Sequence, residues 1–320
     1  MQRNELLDRV RFFLARTGFY VSRPLPRRSI SFDIVARRDE TLLIIKVLSN
    51  VDAFSRNNAE EMKVLAEALE ASPILVGERS SSGGIEEGIV YSRFSIPIIS
   101  IETLAEFLME GVPPFIFAAP GGLYVKLDSA QLKRIREERN ISLGTIAEAA
   151  GVSRRTVQMY EAGMGAMIDA ALRLEEYLDV SLVLPIDPFT YAPENAAAVV
   201  GKQEMDIFGM EIFNILSEMG FSIMPIVKCP FEALTSDEDL LFLTGLGRDE
   251  RKLKHKARVV TDISRITEKR SVIFIERIRT RSSVEGTALV GRDELDKIED
   301  TDELREIVED RSDSRSIIHG

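Results

Sequence analysis

The sequence predicts a mixed α/β protein in which two related α/β domains flank an all-α domain. Three observations predict this arrangement. The first third of the chain alternates amphipathic helices with apolar strands, the last third repeats that order, and a run of short helices lies between them. A chain of 320 residues is long enough for two or three domains, each with its own hydrophobic core.

The first α/β domain is predicted over residues 1–112. Apolar residues at helical spacing predict a helix at 4–17, which Gly18 ends. A strand, a polar turn and a very apolar strand follow, and the last of these covers 42–48. The remaining elements are a helix at 57–70, a buried strand at 73–76, strands around 89 and at 96–100, and a helix at 101–109. This order is typical of helices packed on a central sheet.

Residues 113–127 are predicted to form a connector between the first two domains. Their sequence, PPFIFAAPGGLYVKL, places two β-rich runs around a Pro-Gly-Gly turn. This pattern favours a β-hairpin. We expect the hairpin to act as a wing or as a dimerisation ribbon.

The all-α domain is predicted over residues 128–188, and its centre is the stretch SLGTIAEAAGVSRRTVQMYEAG. Two short helical patterns meet at Gly151, and Ser142 and Ser153 are placed to cap them. The positions that share an apolar face are Ile146, Ala147 and Ala150 in the first helix and Val157 and Tyr160 in the second. This spacing is that of a helix-turn-helix. Predicted helices at 130–139 and 168–178 stand on either side of it.

The charge of this region is compatible with DNA, although the chain as a whole has a net charge of −11. Residues 130–165 carry six basic residues against four acidic ones, and residues 1–40 carry nine arginines against five acidic residues. Phosphate binding depends on the local electric field rather than on total charge. The net charge therefore excludes only a protein that coats nucleic acid indiscriminately.

Residues 131–185 resemble the Cro/CI-type (XRE) helix-turn-helix domain over all of its helices. In that family the second helix of the motif enters the major groove of double-stranded DNA. The resemblance implies base and phosphate contacts from Ser153, Arg154, Arg155, Thr156, Gln158 and Met159. An arginine at the start of such a helix can bind O6 and N7 of guanine with two hydrogen bonds. The expected phosphate contacts in the preceding basic helix are Lys133, Arg134, Arg136 and Arg139.

One departure from the family pattern weighs against a full match. The family commonly has a glutamine after the cap of the first motif helix, and this chain has Leu143. The alternative for the whole module is a helical unit kept for packing or protein contacts. Two adjacent arginines at the start of the second helix favour DNA.

The first α/β domain resembles the PD-(D/E)xK nuclease core of restriction enzymes and archaeal junction resolvases. Glu5, Asp33 and Lys46 stand at matching places. In that family the carboxylates hold Mg²⁺ and the lysine helps to activate water. The second strand carboxylate is replaced by Ile44, which leaves a divalent cation short of oxygen ligands. We interpret the three residues as vestigial, with the fold retained and catalysis lost. An active nuclease is the alternative.

A second α/β domain is predicted over residues 202–320, after a linker at 189–201. It repeats the first domain, and Glu232 aligns with Asp33, Thr244 with Lys46, and Phe242 with Ile44. The second domain is therefore predicted to lack the nuclease site as well. Its basic run at 248–258 is interpreted as the solvated face of a helix.

Several other classes of site are disfavoured. The single cysteine, Cys229, excludes an internal disulfide, and the two histidines lie far from it, so the sequence predicts no metal site and no cofactor. No apolar run is long enough to span a bilayer. We expect a cytoplasmic protein with no membrane partner.

The leading hypothesis is a sequence-specific, DNA-binding transcriptional regulator that acts as a homodimer and is not an enzyme. The order of domains resembles that of HTH-type transcriptional regulators of archaea. The α/β domains would supply the dimer interface or respond to an effector that the sequence does not identify. The alternatives are an Mg²⁺-dependent nuclease of the PD-(D/E)xK type and a DNA scaffold protein without sequence preference.

Overall fold

The computed structural model describes residues 3–23, 25, 31–190, 206–227, 229–248, 253–277 and 281–313. Backbone contacts divide the chain into two compact units. The first unit comprises residues 1–17, 47–54 and 73–192, and the second comprises 18–46, 55–72 and 193–320. Both units combine helices with β-sheet, which confirms the predicted mixed α/β class.

The helices fall close to the predicted segments. In the first α/β domain they are α1 (Arg3–Arg16), α2 (Arg56–Leu69) and α3 (Ile101–Ala105), with a 3-10 turn at Val51–Ala53 and a π-helical turn at Glu106–Glu110. In the middle of the chain they are α4 (Ser129–Glu138), α5 (Leu143–Ala150), α6 (Arg154–Glu161) and α7 (Ile168–Leu178). In the last third they are α8 (Ile207–Glu218), α9 (Lys254–Thr267), α10 (Arg292–Leu295) and α11 (Thr301–Asp313).

The strands of the two α/β domains follow the predicted order, whereas two short strands at 166–167 and 183–184 in the helical domain were not predicted. The first α/β domain contains β1 (Tyr20–Val21), β2 (Ile34–Arg38), β3 (Thr41–Asn50), β4 (Ser72–Ser80), β5 (Gly83–Gly84), β6 (Ile89–Arg93) and β7 (Ile96–Ile99). The middle of the chain contains β8 (Ile116–Ala119), β9 (Gly122–Leu127), β10 (Ala166–Met167) and β11 (Val183–Leu184). The last third contains β12 (Ser222–Pro225), β13 (Ala233–Ser236), β14 (Leu241–Gly247), β15 (Arg270–Ile275), β16 (Ser283–Val284) and β17 (Thr287–Gly291).

In the first unit the predicted hairpin is present, and its role as a wing or a dimerisation ribbon stays a prediction. β8 and β9 pair in antiparallel fashion around Pro120 and Gly121, as the Pro-Gly-Gly signal predicts. The outer edge of β8 pairs in parallel with β6, and β9 pairs with β10 and β11. Strands of the same chain thus pair with the base of the hairpin on both edges, whereas the residues next to its turn pair only with each other among the described strands. The hairpin joins the α/β sheet to the helical domain.

The four helices α4 to α7 enclose a compact core under the helix-turn-helix. Ile146, Ala147, Val157 and Tyr160 are buried in it, as their shared faces predict. Small residues on α5 allow the neighbouring helices to approach closely. Gly151 ends α5 with φ of +70°, a left-handed conformation that glycine adopts without strain.

The second unit shows that the predicted repeat is real at the level of topology. β12, β13 and β14 form an antiparallel sheet, as do β1, β2 and β3. β15 runs parallel to β17, and β16 pairs with the other edge of β17 in antiparallel fashion. β4, β7 and β6 pair in the same way in the first copy. α2 and α9 even end alike, with Glu70 and Glu268 in the left-handed conformation.

Within this unit the hairpin of the first copy packs against α9 of the second copy. The backbone N–H of Arg23 donates to Oδ2 of Asp262 at 2.6 Å. Arg37 on β2 forms an ion pair with Glu268 at 2.8 Å, just after α9 ends. The two copies of the repeat are therefore directly associated through these segments.

The pairing register corrects our alignment of the two copies by one residue. In the first hairpin the N–H of Asp33 donates to the carbonyl of Ile45, and in the second the N–H of Glu232 donates to that of Thr244. Thr244 is thus the counterpart of Ile45, and Gly245 stands where the first copy has Lys46. By the same register Leu243, not Phe242, matches Ile44.

Some predicted segments lie wholly or partly outside the described residues. The linker at 189–201 is described only as far as 190, and the basic run at 248–258 lacks 249–252.

Candidate nucleic-acid interface

The two helices of the central motif begin with the same capping arrangement. Oγ of Ser142 accepts a hydrogen bond from the N–H of Thr145 at 3.1 Å, and Oγ of Ser153 accepts one from the N–H of Thr156 at 3.1 Å. In each cap the two hydroxyl groups also lie within 2.9 Å of one another. This confirms both predicted caps, which define where α5 and α6 begin.

Because Ser153 ends the turn, α6 starts with two arginines that point away from the core. Arg154 and Arg155 are exposed, and neither makes an ion pair or a hydrogen bond with any residue that the structure describes. Their positive charges therefore have no counter-charge within the described chain. Gln158 and Met159 are exposed on the following turn, and 42 % of Met159 is accessible. Donor groups and one apolar side chain thus share a surface, as direct reading of base edges requires.

Lys133 and Arg134 continue the positive surface on α4. Both are exposed, and neither has an ionic partner among the described residues. Side chains of this kind suit non-specific contact with phosphate groups, which orients a protein on DNA without reading its sequence. The structure therefore leaves them available for the role that the sequence predicts.

The other two basic residues of that helix have partners inside the domain. Nε of Arg136 donates to Oε1 of Glu161 at 2.5 Å and Nη2 donates to Oε2 at 3.1 Å, so the ion pair is bidentate and joins α4 to the end of α6. The hydrogen bond to Glu161 raises the pKa of Arg136. Nη1 of Arg139 donates to the carbonyl of Leu178 at 2.7 Å, at the end of α7. Arg136 is therefore occupied by an internal ion pair, whereas Arg139 is exposed and stays among the predicted phosphate contacts.

A second interaction, a hydrogen bond from Ser129, holds the C-terminal half of α6. Oγ of Ser129 donates to the carbonyl of Tyr160 at 2.5 Å. The phenol ring of Tyr160 is buried, and burial raises the pKa of its hydroxyl group. With the Arg136–Glu161 pair, this fixes the C-terminal half of α6 and leaves its N-terminal half to face outward.

The nuclease-like residues of the first copy form a buried ion pair rather than an open site. Nζ of Lys46 lies 3.4 Å from Oδ1 of Asp33, and the two side chains are 3 % and 0 % exposed. Ile44, two residues before Lys46, is fully buried where the family has a carboxylate. Glu5 is an exposed residue in the first turn of α1. No group of three or more metal-ligating side chains is present in the described part of the chain.

The second copy holds a carboxylate–lysine pair that sequence reasoning missed. Nζ of Lys256 lies 2.6 Å and 2.5 Å from the two carboxylate oxygens of Glu232, and it also donates to the carbonyl of Leu246 at 2.7 Å. The lysine comes from α9 and not from the strand. A Cβ at Gly245 would lie 3.4 Å from Cε of Lys256 and 2.8 Å from Ile273, so the missing strand side chain leaves room for the helix lysine. A glycine inside a strand pattern is the one signal of this close approach.

No helix among the described residues is long and apolar enough to cross a membrane.

Comparison with known proteins identifies both parts of this architecture. A helix-turn-helix family model matches residues 132–184, and the model of a PD-(D/E)XK superfamily domain matches residues 3–114. A protein of Natronomonas pharaonis is 38 % identical over 98 % of this chain and 99 % of its own length. Proteins of Methanosarcina acetivorans and Halorubrum lacusprofundi are 37 % and 38 % identical, over 99 % and 98 % of this chain and of their own lengths. All three bear the name "Putative HTH-type transcriptional regulatory protein".

No solved structure matches the chain significantly.

Proposed function

Since this chain belongs to the family of HTH-type transcriptional regulatory proteins found in archaea, we propose that it recognises a specific DNA sequence as a homodimer. In this proposal α6 enters the major groove. Arg154 and Arg155 read base edges there, and Lys133 and Arg134 contact phosphate groups on the DNA backbone.

The observation that carries the proposal is the state of the two arginines. They stand side by side at the capped start of α6, exposed, with no anionic partner among the described residues. Their side chains retain all five guanidinium N–H donors for an external acceptor pair, such as O6 and N7 of guanine. The arginine whose partner lies inside the domain, Arg136, provides the contrast within the same module.

The dimer follows from the size of the interface. One helix-turn-helix contacts a single half-site, and specific affinity generally requires two half-sites about one helical turn of DNA apart. The α/β domains then supply the contact between protomers or receive an effector.

The proposal is tested by selecting bound DNA from a random pool with the full-length protein, with and without a salt challenge. We expect an enriched palindrome whose half-sites are spaced by about 10 base pairs or a multiple of that number. A footprint on the selected site and light scattering of the complex would report two chains per site. Recovery of DNA without any motif, together with a steep loss of binding as salt rises, would instead indicate a non-specific scaffold.

We further propose that the PD-(D/E)XK domains do not cleave DNA. The first copy has Ile44 and the second has Leu243 where a metal-binding carboxylate is needed, and the lysine of the first copy is buried in an ion pair. We expect purified protein to leave plasmid intact with Mg²⁺ or Mn²⁺. Cleavage that is lost in the Lys46→Ala variant would contradict this and restore the nuclease alternative.

A further inference from the structure

Gly144 occupies a position where the backbone does not need glycine. It is the second residue of α5 and has ordinary helical geometry, since it is not among the glycines with positive φ. Glycine is among the poorest helix formers, and alanine at an unstrained helical position is better. The reason for a glycine must therefore lie in what surrounds it.

The guanidinium group of Arg154 lies directly over this glycine. A Cβ at Gly144 would stand 3.0 Å from Nη2, 3.1 Å from Nε and 3.3 Å from Cζ of Arg154. All three distances are shorter than an ordinary van der Waals contact, so a methyl group at residue 144 would push the guanidinium group of Arg154 away by a few tenths of an ångström. The guanidinium group of Arg154, the first residue of α6, thus lies against the first turn of α5.

We propose that Gly144 determines base preference by positioning Arg154, an inference that rests on the proposed DNA-binding function. Gly144 itself is a positioning residue and donates nothing to DNA. Glycine gives the guanidinium group room to lie over the first turn of α5, and a methyl group would displace it from that place. A side chain whose preferred place suits the DNA loses less conformational freedom on binding.

Arg155 supplies an internal comparison. It is the next residue of α6 and is equally exposed, yet none of the described glycines has its guanidinium group as a close neighbour. A methyl group at position 144 should therefore disturb the base pair that Arg154 reads and leave the one that Arg155 reads unchanged. A general defect in folding or in charge would affect both.

The test compares the full-length wild type with Gly144→Ala, Arg154→Ala and the double variant on the DNA site that the wild type selects. Each base pair of a half-site is changed in turn and the dissociation constants are measured. We expect Gly144→Ala to reduce discrimination about fivefold or more, only at the base pairs that Arg154→Ala also affects. In the Arg154→Ala background the same methyl group should change nothing. Thermal unfolding should show Gly144→Ala to be at least as stable as the wild type, because alanine favours the helix.

Two results would overturn the inference while the proposed function stands. One is that Gly144→Ala keeps the wild-type preference at the base pairs where Arg154→Ala loses it. The other is an equal effect of Gly144→Ala with and without Arg154. If the wild type selects no motif at all, the proposed function fails, and this inference fails with it.

Discussion

Replacing Arg154 or Arg155 by alanine is expected to weaken binding to the selected DNA site by about 1–3 kcal/mol each and to relax base preference at separate positions. Each arginine can donate two parallel hydrogen bonds to one guanine, and alanine removes both. Neither change should affect folding, because neither side chain has a partner among the described residues. The measurement is a titration of each variant against the selected site and against the same site with one base pair changed.

Lysine variants separate charge from geometry. Arg154→Lys and Arg155→Lys keep the positive charge but lose the planar fork, so they should regain affinity for any DNA and still fail to discriminate bases. Lys133→Ala, on the presumed phosphate surface of α4, should instead weaken all sequences alike and lower the salt dependence by about one counterion. Wild-type affinity and preference in the Arg154→Ala/Arg155→Ala double variant would refute the assignment of α6 as the recognition helix.

Lys46→Met is expected to be the most destabilising of the single changes considered, with a loss of about 3–5 kcal/mol in the free energy of unfolding. Asp33 is fully buried, and the variant would leave its carboxylate without the ammonium group that lies 3.4 Å away. Taking the ammonium group away from a buried carboxylate costs more than the ion pair contributed, because the remaining charge is poorly solvated. Chemical denaturation should show a lower midpoint for the variant.

The pair in the second copy is the matched comparison. Lys256 and Glu232 are 21 % and 27 % exposed, so water screens the charge that remains, and Lys256→Met should cost only about 1–2 kcal/mol. The double variant Asp33→Asn/Lys46→Met should recover most of the loss seen in Lys46→Met, since no buried charge is left alone. Equal stability of Lys46→Met and the wild type would show that the pair is not the main determinant at this place.

The helix-turn-helix was predictable because its signals are local. Ser142 and Ser153 each lie three residues before a threonine, and the caps, the turn glycine and the apolar spacing fall within 22 residues. The exposed arginines follow from the same pattern, since Val157 and Tyr160 fix which face of α6 is buried. Caps, a turn glycine and apolar spacing are together enough to predict helices of this length.

What escaped prediction depends on residues that are distant in sequence. Arg136 and Glu161 are 25 positions apart, and their pairing turns an apparent phosphate contact into an internal brace. Lys256 was missed for the same reason, because it lies on α9, 24 positions from Glu232, and Gly245 in β14 indicates a close approach without identifying the residue that makes it. The one-residue error in aligning the copies has another cause. β3 and β14 are buried on both faces, and without polar alternation a slip of one position cannot be recognised.

Strand β9 limits how far the helical domain, α4 to α7, can move relative to β6. It shares backbone hydrogen bonds with β8 on one side and with β10 and β11 on the other, and β8 is paired in turn with β6 of the α/β sheet. The helical domain is thus connected to β6 by continuous strand pairing and not by a flexible linker, so that DNA binding would cost little conformational entropy between them. If α6 enters the major groove as proposed, a ligand that tilts β6 would also reorient α6.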